Sequence, residues 1–546
     1  MCVDYSAGMS RLITAFLTAC WLTTATAADF DLIIRRGQIA DGTGKPLFGG
    51  DVAIKDGRIA AVGKVAGTAK TEVEAHGMII APGFIDVHTH SENITELPLA
   101  ENFLRMGVTT IVTGNCGGSK VNVAKFFADL EATNVALNVA TLIGHNSVRS
   151  QVMGGSFMRP PTVDELEKMK ALVDQAMSDG AVGLSTGLIY LPGTFAKTDE
   201  IIELAKVAAK HGGIYASHMR HETVKIFDAI DELCRIARET KIRAEVSHIK
   251  LAGPNAWGKA DEVLAVLNKA RADGLEITHD QYAYTASSTG LAQLIPDKAR
   301  EGGHKKFVER LDDPAQKAKI ISDMKDALKK GARTDYGYTV IASYKKDKSL
   351  NGKTIPEAAK LKRGSDSLDD QIGLLLDIER SGGGSGIFHG MSEPDLQTFL
   401  RHPLTMVASD GGPRSLGEAV PHPRSYGNNA RVLGRYVREL KLLPLEDAIR
   451  KMTSLPAHTF RLKDRGELKP GFIADLVIFD PEKVSDPATF DKPHAYAQGF
   501  SDVFVNGTAV IRNGELTGTR PGRPVRLNSN APASRASNNS KLNPAP

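Results

Sequence analysis

Ile214-Tyr215-Ala216-Ser217-His218, the helical pattern from Glu222 to Thr240, and Arg243-Ala244-Glu245-Val246-Ser247-His248 make one repeating unit. A short apolar strand ends in a polar residue, an amphipathic stretch follows, and another such strand begins. This alternation predicts parallel strands with helices packed outside them. Outward from here, the same strand texture occurs at Ile85 to His90, Val108 to Cys116, Val135 to His145, Ala181 to Thr186, Leu275 to Tyr282 and Thr405 to Asp410. Helical patterns lie between them at Val163 to Asp179, Glu200 to His211 and Asp261 to Ala272. Eight βα units predict an α/β protein built on a (β/α)8 TIM-like barrel spanning about 85–461. An interval of about 290–386, rich in Lys, Asp and Gly, breaks the rhythm and predicts an insertion lying over the barrel mouth.

The flanks read differently. Asp31-Leu32-Ile33-Ile34, Asp51-Val52-Ala53-Ile54 and Arg58-Ile59-Ala60-Ala61-Val62 are short β-branched runs between Asp-Gly and Gly-Gly turns, and Leu476 to Phe479 and Val503 to Val505 repeat the texture. They predict a small β-sandwich assembled from both ends of the chain, 28–84 and 462–526.

The composition excludes several classes of function. In 546 residues, 68 Lys and Arg face 64 Asp and Glu, a net charge of +4 with the basic residues interspersed among acids, so no nucleic-acid partner is expected. Hydrophobic residues at 42% and charged residues at 24% fit a globular chain with a large core. Four cysteines cannot form a disulfide framework.

Arg11, the apolar run Leu12 to Ala19 and Ala25-Thr26-Ala27 read as a signal peptide over 1–27, which predicts an exported, periplasmic or secreted protein. Met9-Ser10-Arg11 is a more ordinary leader start than Met1. Leu17-Thr18-Ala19-Cys20 resembles a lipoprotein cleavage box, which leaves a lipid anchor on Cys20 as the alternative; the run is too short to span a bilayer. Residues 527–546, mostly Asn, Ser, Ala and Pro, read as a disordered tail.

His88 and His90 share one face of the first strand, because side chains alternate along a strand. Such a pair alone is a weak metal signal. Cys116, His218, His248 and Asp410, however, each close another strand, and in a barrel these ends converge on the C-terminal mouth. A buried thiol, hydrogen-bonded histidines and a helix cap explain Cys116, His218, His248 and Asp410 one at a time; their convergence points to a metal. Cys234, inside a helix pattern, reads as core.

With these motifs in order, His88-Thr89-His90, Gly114-Asn115-Cys116-Gly117, Ser217-His218-Met219-Arg220, Ser247-His248-Ile249-Lys250 and Ala408-Ser409-Asp410-Gly411, the chain resembles the N-acyl-D-amino-acid deacylases (D-aminoacylases) of the amidohydrolase superfamily. Tyr282-Ala283-Tyr284 with Ser288-Thr289, His422 to Gly427, and Lys469 to Leu476 extend the likeness over about 29–526. The resemblance implies a tightly bound Zn2+ on Cys116, His218 and His248 and a second, weaker position framed by His88, His90 and Asp410. It implies Asp410 as general base and acid, and Arg424, Lys250, Tyr282 and Ser288 as partners of the substrate α-carboxylate. His145, closing the third strand, is expected at the pocket wall. Gly118-Ser119-Lys120-Val121 and Asn428-Asn429 depart from the family pattern and bear on the pocket's shape.

The expected partner is a small N-acyl-D-amino acid or short D-peptide. Three rivals remain at this level. One is a cyclic amidohydrolase of hydantoinase or dihydroorotase type, or a D-dipeptidase. Another is a non-catalytic metal-holding periplasmic binding protein. The third is a serine hydrolase, because Gly183-Leu184-Ser185-Thr186-Gly187 matches Gly-x-Ser-x-Gly, although Leu188 to Gly193 after it is not a helix pattern.

Overall fold

The computed structural model describes Met1 and residues 28–527. The leader with Cys20, the Ala25-Thr26-Ala27 site, and the tail from Asn528 onward lie outside the described residues. Among the described residues, no helix is long and apolar enough to cross a membrane.

Eight strand positions, every one paired in parallel, run around a barrel. Phe84–Asp86, Val108–Thr113 and Asn138–Thr141 form one sheet; Ile143–Gly144, Gly183–Gly187, Ile214–His218, Arg243–Val246, Ile277–Gln281 and Thr405–Val407 form the other. The third strand passes from the first sheet to the second across Leu142, whose N–H donates to Thr113 O. Between first and last strands, a parallel bridge joins Thr89 to Gly411, His90 N donates to Gly411 O at 2.7 Å, and Asp410 N donates to His88 O at 2.9 Å.

The strands are buried on both faces, so most read as continuous apolar or β-branched runs. Helix Ile226–Thr240 buries Ile226, Ala229, Ile230, Leu233, Cys234, Ile236 and Ala237, the i, i+3, i+4 stripe of an outer barrel helix. Helix Val163–Ser178 starts on a capping box in which Thr162 Oγ1 accepts from Glu165 N and Glu165 accepts from Thr162 N.

Both chain ends share one nine-stranded sheet. Leu476–Phe479, from the late segment, pairs antiparallel with Ile79–Pro82 from the early one. Period-two alternation ties this sheet to the barrel: Leu476 and Ile478 face a core with Leu32, Ile34, Val52 and Ile54, while Val477 and Phe479 join the barrel core. Leu527, assigned by sequence to the polar tail, is instead buried, with its N–H on Gly180 O.

The insertion leaves and returns through one antiparallel pair, Ala286–Gly290 with Ser385–His389, to which Thr339–Ser343 is added. It has its own core around Phe307, Met324, Ile341, Ile372 and Leu375. Its first strand follows the end of the seventh barrel strand, so the insertion borders the mouth.

Candidate metal centre and active site

The ends of five barrel strands deliver the predicted ligands to one buried cluster. Cys116 Sγ lies 3.3 Å from His88 Nε2, 3.6 Å from His218 Nδ1 and 3.5 Å from His248 Nε2. Asp410 Oδ1 lies 3.1 Å from His90 Nε2 and 3.7 Å from His88 Nε2. Cys116, His218 and His248 are buried, whereas the His90 side chain is 42% exposed, which opens the cluster on that side.

Cys116, His248 and Asp410 all have left-handed backbones, with φ of 51°, 37° and 51°. This is uncommon away from glycine and persists only where neighbours enforce it. Each bend turns a strand end inward. Around Cys116, Ser185 Oγ donates to Gly114 O at 2.5 Å and accepts from Gly117 N at 3.1 Å. His248 N donates to Asp280 Oδ1 at 3.0 Å, and Asp410 N to His88 O. The loops pack closely: a Cβ on Gly187 would lie 2.1 Å from Cys116 O, and one on Gly117 2.2 Å from Asn146 Oδ1.

Charge is arranged to match. Burial disfavours a thiolate at Cys116, but facing His88 and His248 outweigh it and hold the thiol well below its ordinary value. Burial likewise opposes ionisation of Asp410, and Arg424, His88 and His90 override it. His90 is raised to about 10 by Asp410 and Cys116, and the fully buried His88 is raised against the cost of its burial by Asp280, Cys116 and Asp410.

This donor set suits a zinc-like ion. Zinc takes thiolate at about 2.3 Å and imidazole at about 2.0 Å, and tetrahedral angles then put S and N about 3.5 Å apart. The Cys116 to His218 and His248 separations of 3.6 and 3.5 Å match that spacing. Potential ligand atoms of Cys116, His218 and His248, and those of His88, His248 and Asp410, lie within 4.8 Å of one another.

Beside the cluster, Arg424 Nη1 is 3.0 Å from Asp410 Oδ2, and its guanidinium lies 4.5 Å from the centre of the Tyr282 ring. Lys250 Nζ lies 5.9 Å from that ring centre and bonds to Glu222 Oε1 at 2.5 Å and His248 Nδ1 at 2.7 Å. Burial lifts the Tyr282 phenol well above its ordinary value, so it stays neutral. His422 fixes this corner: it accepts from Arg424 N at 3.0 Å while Nε2 donates to Ala286 O at 2.8 Å. Ser288, expected as a partner of the substrate carboxylate, stands beside Arg424, whose Nη2 donates to the Ser288 carbonyl oxygen at 3.4 Å.

The profile of the amidohydrolase family matches residues 71–514. A D-aminoacylase of Alcaligenes xylosoxydans xylosoxydans is 35% identical over 528 residues, covering 92% of this chain and 99% of that one. The chain belongs to the D-aminoacylase family of amidohydrolases. An N-acyl-D-glutamate deacylase of the same organism is also 35% identical, over 91% of this chain and 96% of the relative. The crystal structure of N-acyl-D-glutamate deacylase from Bordetella bronchiseptica, complexed with zinc and a phosphonate mimic of the tetrahedral intermediate, superposes with a TM-score of 0.77 at 33% identity, over 91% of this chain and 99% of that chain.

Some expectations for this amidohydrolase need correction. His145 does not reach the cluster. It begins helix His145–Met153, and its fully buried ring is held at 2.8 Å by Glu200 Oε1, which also pairs with Arg149 at 2.9 Å. The family departures are only partly satisfied internally: Asn428 Oδ1 accepts from Ala283 N at 2.9 Å and Ser119 Oγ from Gly144 N at 2.8 Å, whereas Asn428 Nδ2 and Asn429 Oδ1 are buried without a hydrogen-bond partner among the described residues. Ser185 is no nucleophile, since its hydroxyl braces the Cys116 loop and a turn follows its strand.

Sequence reasoning missed Asp280, Glu222 and Tyr190. Asp280 Oδ2 takes His88 Nδ1 at 3.1 Å. It stands two residues before Tyr282, on the same strand face, which was a usable signal. Glu222 was read as the start of a helix that in fact begins at Ile226; its carboxylate turns inward to Lys250. Tyr190, in the turn after the fourth strand, sets its ring edge on His218 at 4.8 Å between centres and accepts from Thr289 Oγ1 at 3.2 Å.

Proposed function

We propose that this amidohydrolase cleaves the amide bond of N-acyl-D-amino acids, giving a carboxylate and a free D-amino acid. The observation that carries the reading is the junction at Asp410: one carboxylate faces the thiolate and imidazole cluster through His88 and His90 and pairs its other oxygen with the charge of a buried arginine 3.0 Å away. A proton acceptor and a carboxylate receptor therefore stand side by side. End-to-end similarity to a D-aminoacylase and an N-acyl-D-glutamate deacylase supports the substrate class and its D configuration.

Cys116, His218 and His248 would hold the zinc, which when bound would supply Lewis-acid polarisation of the acyl carbonyl and of the attacking water. His88, His90 and Asp410 frame the second, weaker position. The protein groups carry the rest. Asp410, kept ionised by Arg424 and His88, takes a proton from water as the water oxygen bonds to the acyl carbon. As the C–N bond breaks, Asp410 returns that proton to the leaving nitrogen. Arg424, seated on Tyr282, receives the α-carboxylate with Lys250 beside it, and so fixes which bond lies over Asp410.

The test is a release assay on matched N-acetyl-D- and N-acetyl-L-amino acids with a zinc count on the same sample. Release from the D series by zinc-loaded protein is the expected result; release from the L series alone refutes the substrate class. Short D-peptides are substrates of the same chemistry, since a peptide bond is an N-acyl linkage.

We place the protein outside the cytoplasm, from Arg11, the apolar run Leu12 to Ala19, and Ala25-Thr26-Ala27. Sequencing the mature N-terminus tests this: a start at Ala28 supports cleavage after Ala27, whereas a lipidated Cys20 marks an anchored form.

A further inference from the structure

Glu222 has no part in the chemistry above, yet it touches three groups that do. Its side chain is 12% exposed. Oε1 lies 3.2 Å from His248 Nδ1 and 2.5 Å from Lys250 Nζ, and Oε2 lies 3.6 Å from His218 Nε2. His248 turns its other nitrogen, Nε2, to Cys116, and His218 turns Nδ1 there. The carboxylate thus faces the outward nitrogens of both imidazoles whose inward nitrogens meet the thiolate, sharing the one on His248 with Lys250 Nζ, which lies 2.7 Å from Nδ1 and is itself held by Glu222. His218 Nε2 is moreover a buried nitrogen with no hydrogen-bond partner, with this acceptor in front of it.

We propose that Glu222 is a positioning residue that joins the metal centre to the substrate-carboxylate site, one carboxylate orienting His218 and His248 as ligands and holding Lys250 beside Arg424 and Tyr282. The Lys250 half rests on the function proposed above; the imidazole half does not. Outer-nitrogen partners fix ring orientation and raise the basicity of ligating imidazoles, and their loss typically costs 10–100-fold in metal affinity. Lys250 Nζ, anchored on Glu222, keeps a set distance from the Tyr282 ring over which Arg424 also lies. Without that anchor, a flexible four-carbon stem presents its charge to the substrate from many positions.

The test uses the full chain with Glu222→Gln, which keeps side-chain size, and Glu222→Asp, which keeps the charge but shortens the reach. Zinc affinity is measured by chelator competition without substrate, and KM and kcat at saturating zinc. Glu222→Gln is expected to weaken zinc about 10–100-fold. Its KM is expected to rise roughly tenfold, the scale of one charge-assisted hydrogen bond, with kcat moving less. Glu222→Asp is expected to recover part of both losses, and it reads the same quantities if the Gln variant does not fold. Wild-type zinc affinity in Glu222→Gln overturns the proposal, as does weakened zinc binding with an unchanged KM at saturation. If the wild-type protein hydrolyses no N-acyl-D-amino acid, the function fails on its own, and chelator competition still decides the role of Glu222 at the metal.

Discussion

Arg424 Nη1 stands 3.0 Å from Asp410 Oδ2, and both side chains are more than nine-tenths buried. The pair combines two tasks usually separated in a site: Arg424 keeps Asp410 ionised, and Asp410 holds the guanidinium where a substrate carboxylate arrives. Substitutions at the two residues should therefore differ in kind.

Replacing Asp410 with Asn keeps the shape and removes the proton acceptor. Turnover should fall about 10²–10⁴-fold, the usual worth of positioned acid–base catalysis. The zinc on Cys116, His218 and His248 should remain. Steady-state rates and a metal count on one preparation check this; unchanged turnover removes Asp410 from the chemistry.

Replacing Arg424 with Met leaves Asp410 without its strongest opposite charge. The substrate carboxylate loses a charged hydrogen bond worth about 1.5–3 kcal/mol, so KM should rise roughly 10–150-fold. A KM within twofold of wild type would show that the carboxylate binds elsewhere.

Cys116→Ser changes one atom at the centre of the cluster. A serine hydroxyl stays protonated at neutral pH and is a poor zinc ligand, whereas the thiolate here is already favoured by His88 and His248. Zinc should be lost on dialysis against a chelator that leaves the wild type loaded, and activity should go with it. Zinc retained at wild-type affinity would contradict the thiolate's role.

Glu200 tests whether the His145 network is structural. Its carboxyl lies below its ordinary value of 4.5, because His145 and Arg149 outweigh the penalty of burial. A lowered carboxylate stabilises the fold fully above its unfolded value and loses that contribution as pH falls through the folded one. Glu200→Ala should cost about 3–5 kcal/mol at pH 7, since it leaves a buried arginine unpaired. Urea midpoints of wild type and Glu200→Gln should lie well apart at pH 7, begin to approach below pH 4.5 and converge only as pH falls through the lowered folded value. An equal gap at both pH values would show that the charge of Glu200 does not carry the stabilisation, and lost zinc in the variant would tie the network to the metal.

The barrel was legible because buried parallel strands read as apolar runs, and because the rule that barrel sites gather at strand ends brought Cys116, His218, His248 and Asp410 together from separate units. His145 misled for the same reason: it follows a strand, but the chain enters a helix at that residue and the ring turns to Glu200. Glu222 was illegible, since a residue in a turn has no periodicity to mark its direction. Ser288 came beside Arg424 only through the family likeness, and its carbonyl contact with the guanidinium depends on the pairing of Ala286–Gly290 with Ser385–His389, which no local pattern encodes.

X-ray absorption at the zinc edge, on protein loaded with one equivalent of the metal, tests the centre most directly. A single sulfur scatterer at about 2.3 Å with nitrogen or oxygen neighbours at about 2.0–2.1 Å is the predicted shell. A shell of nitrogen and oxygen alone would place the metal away from Cys116 and contradict the account.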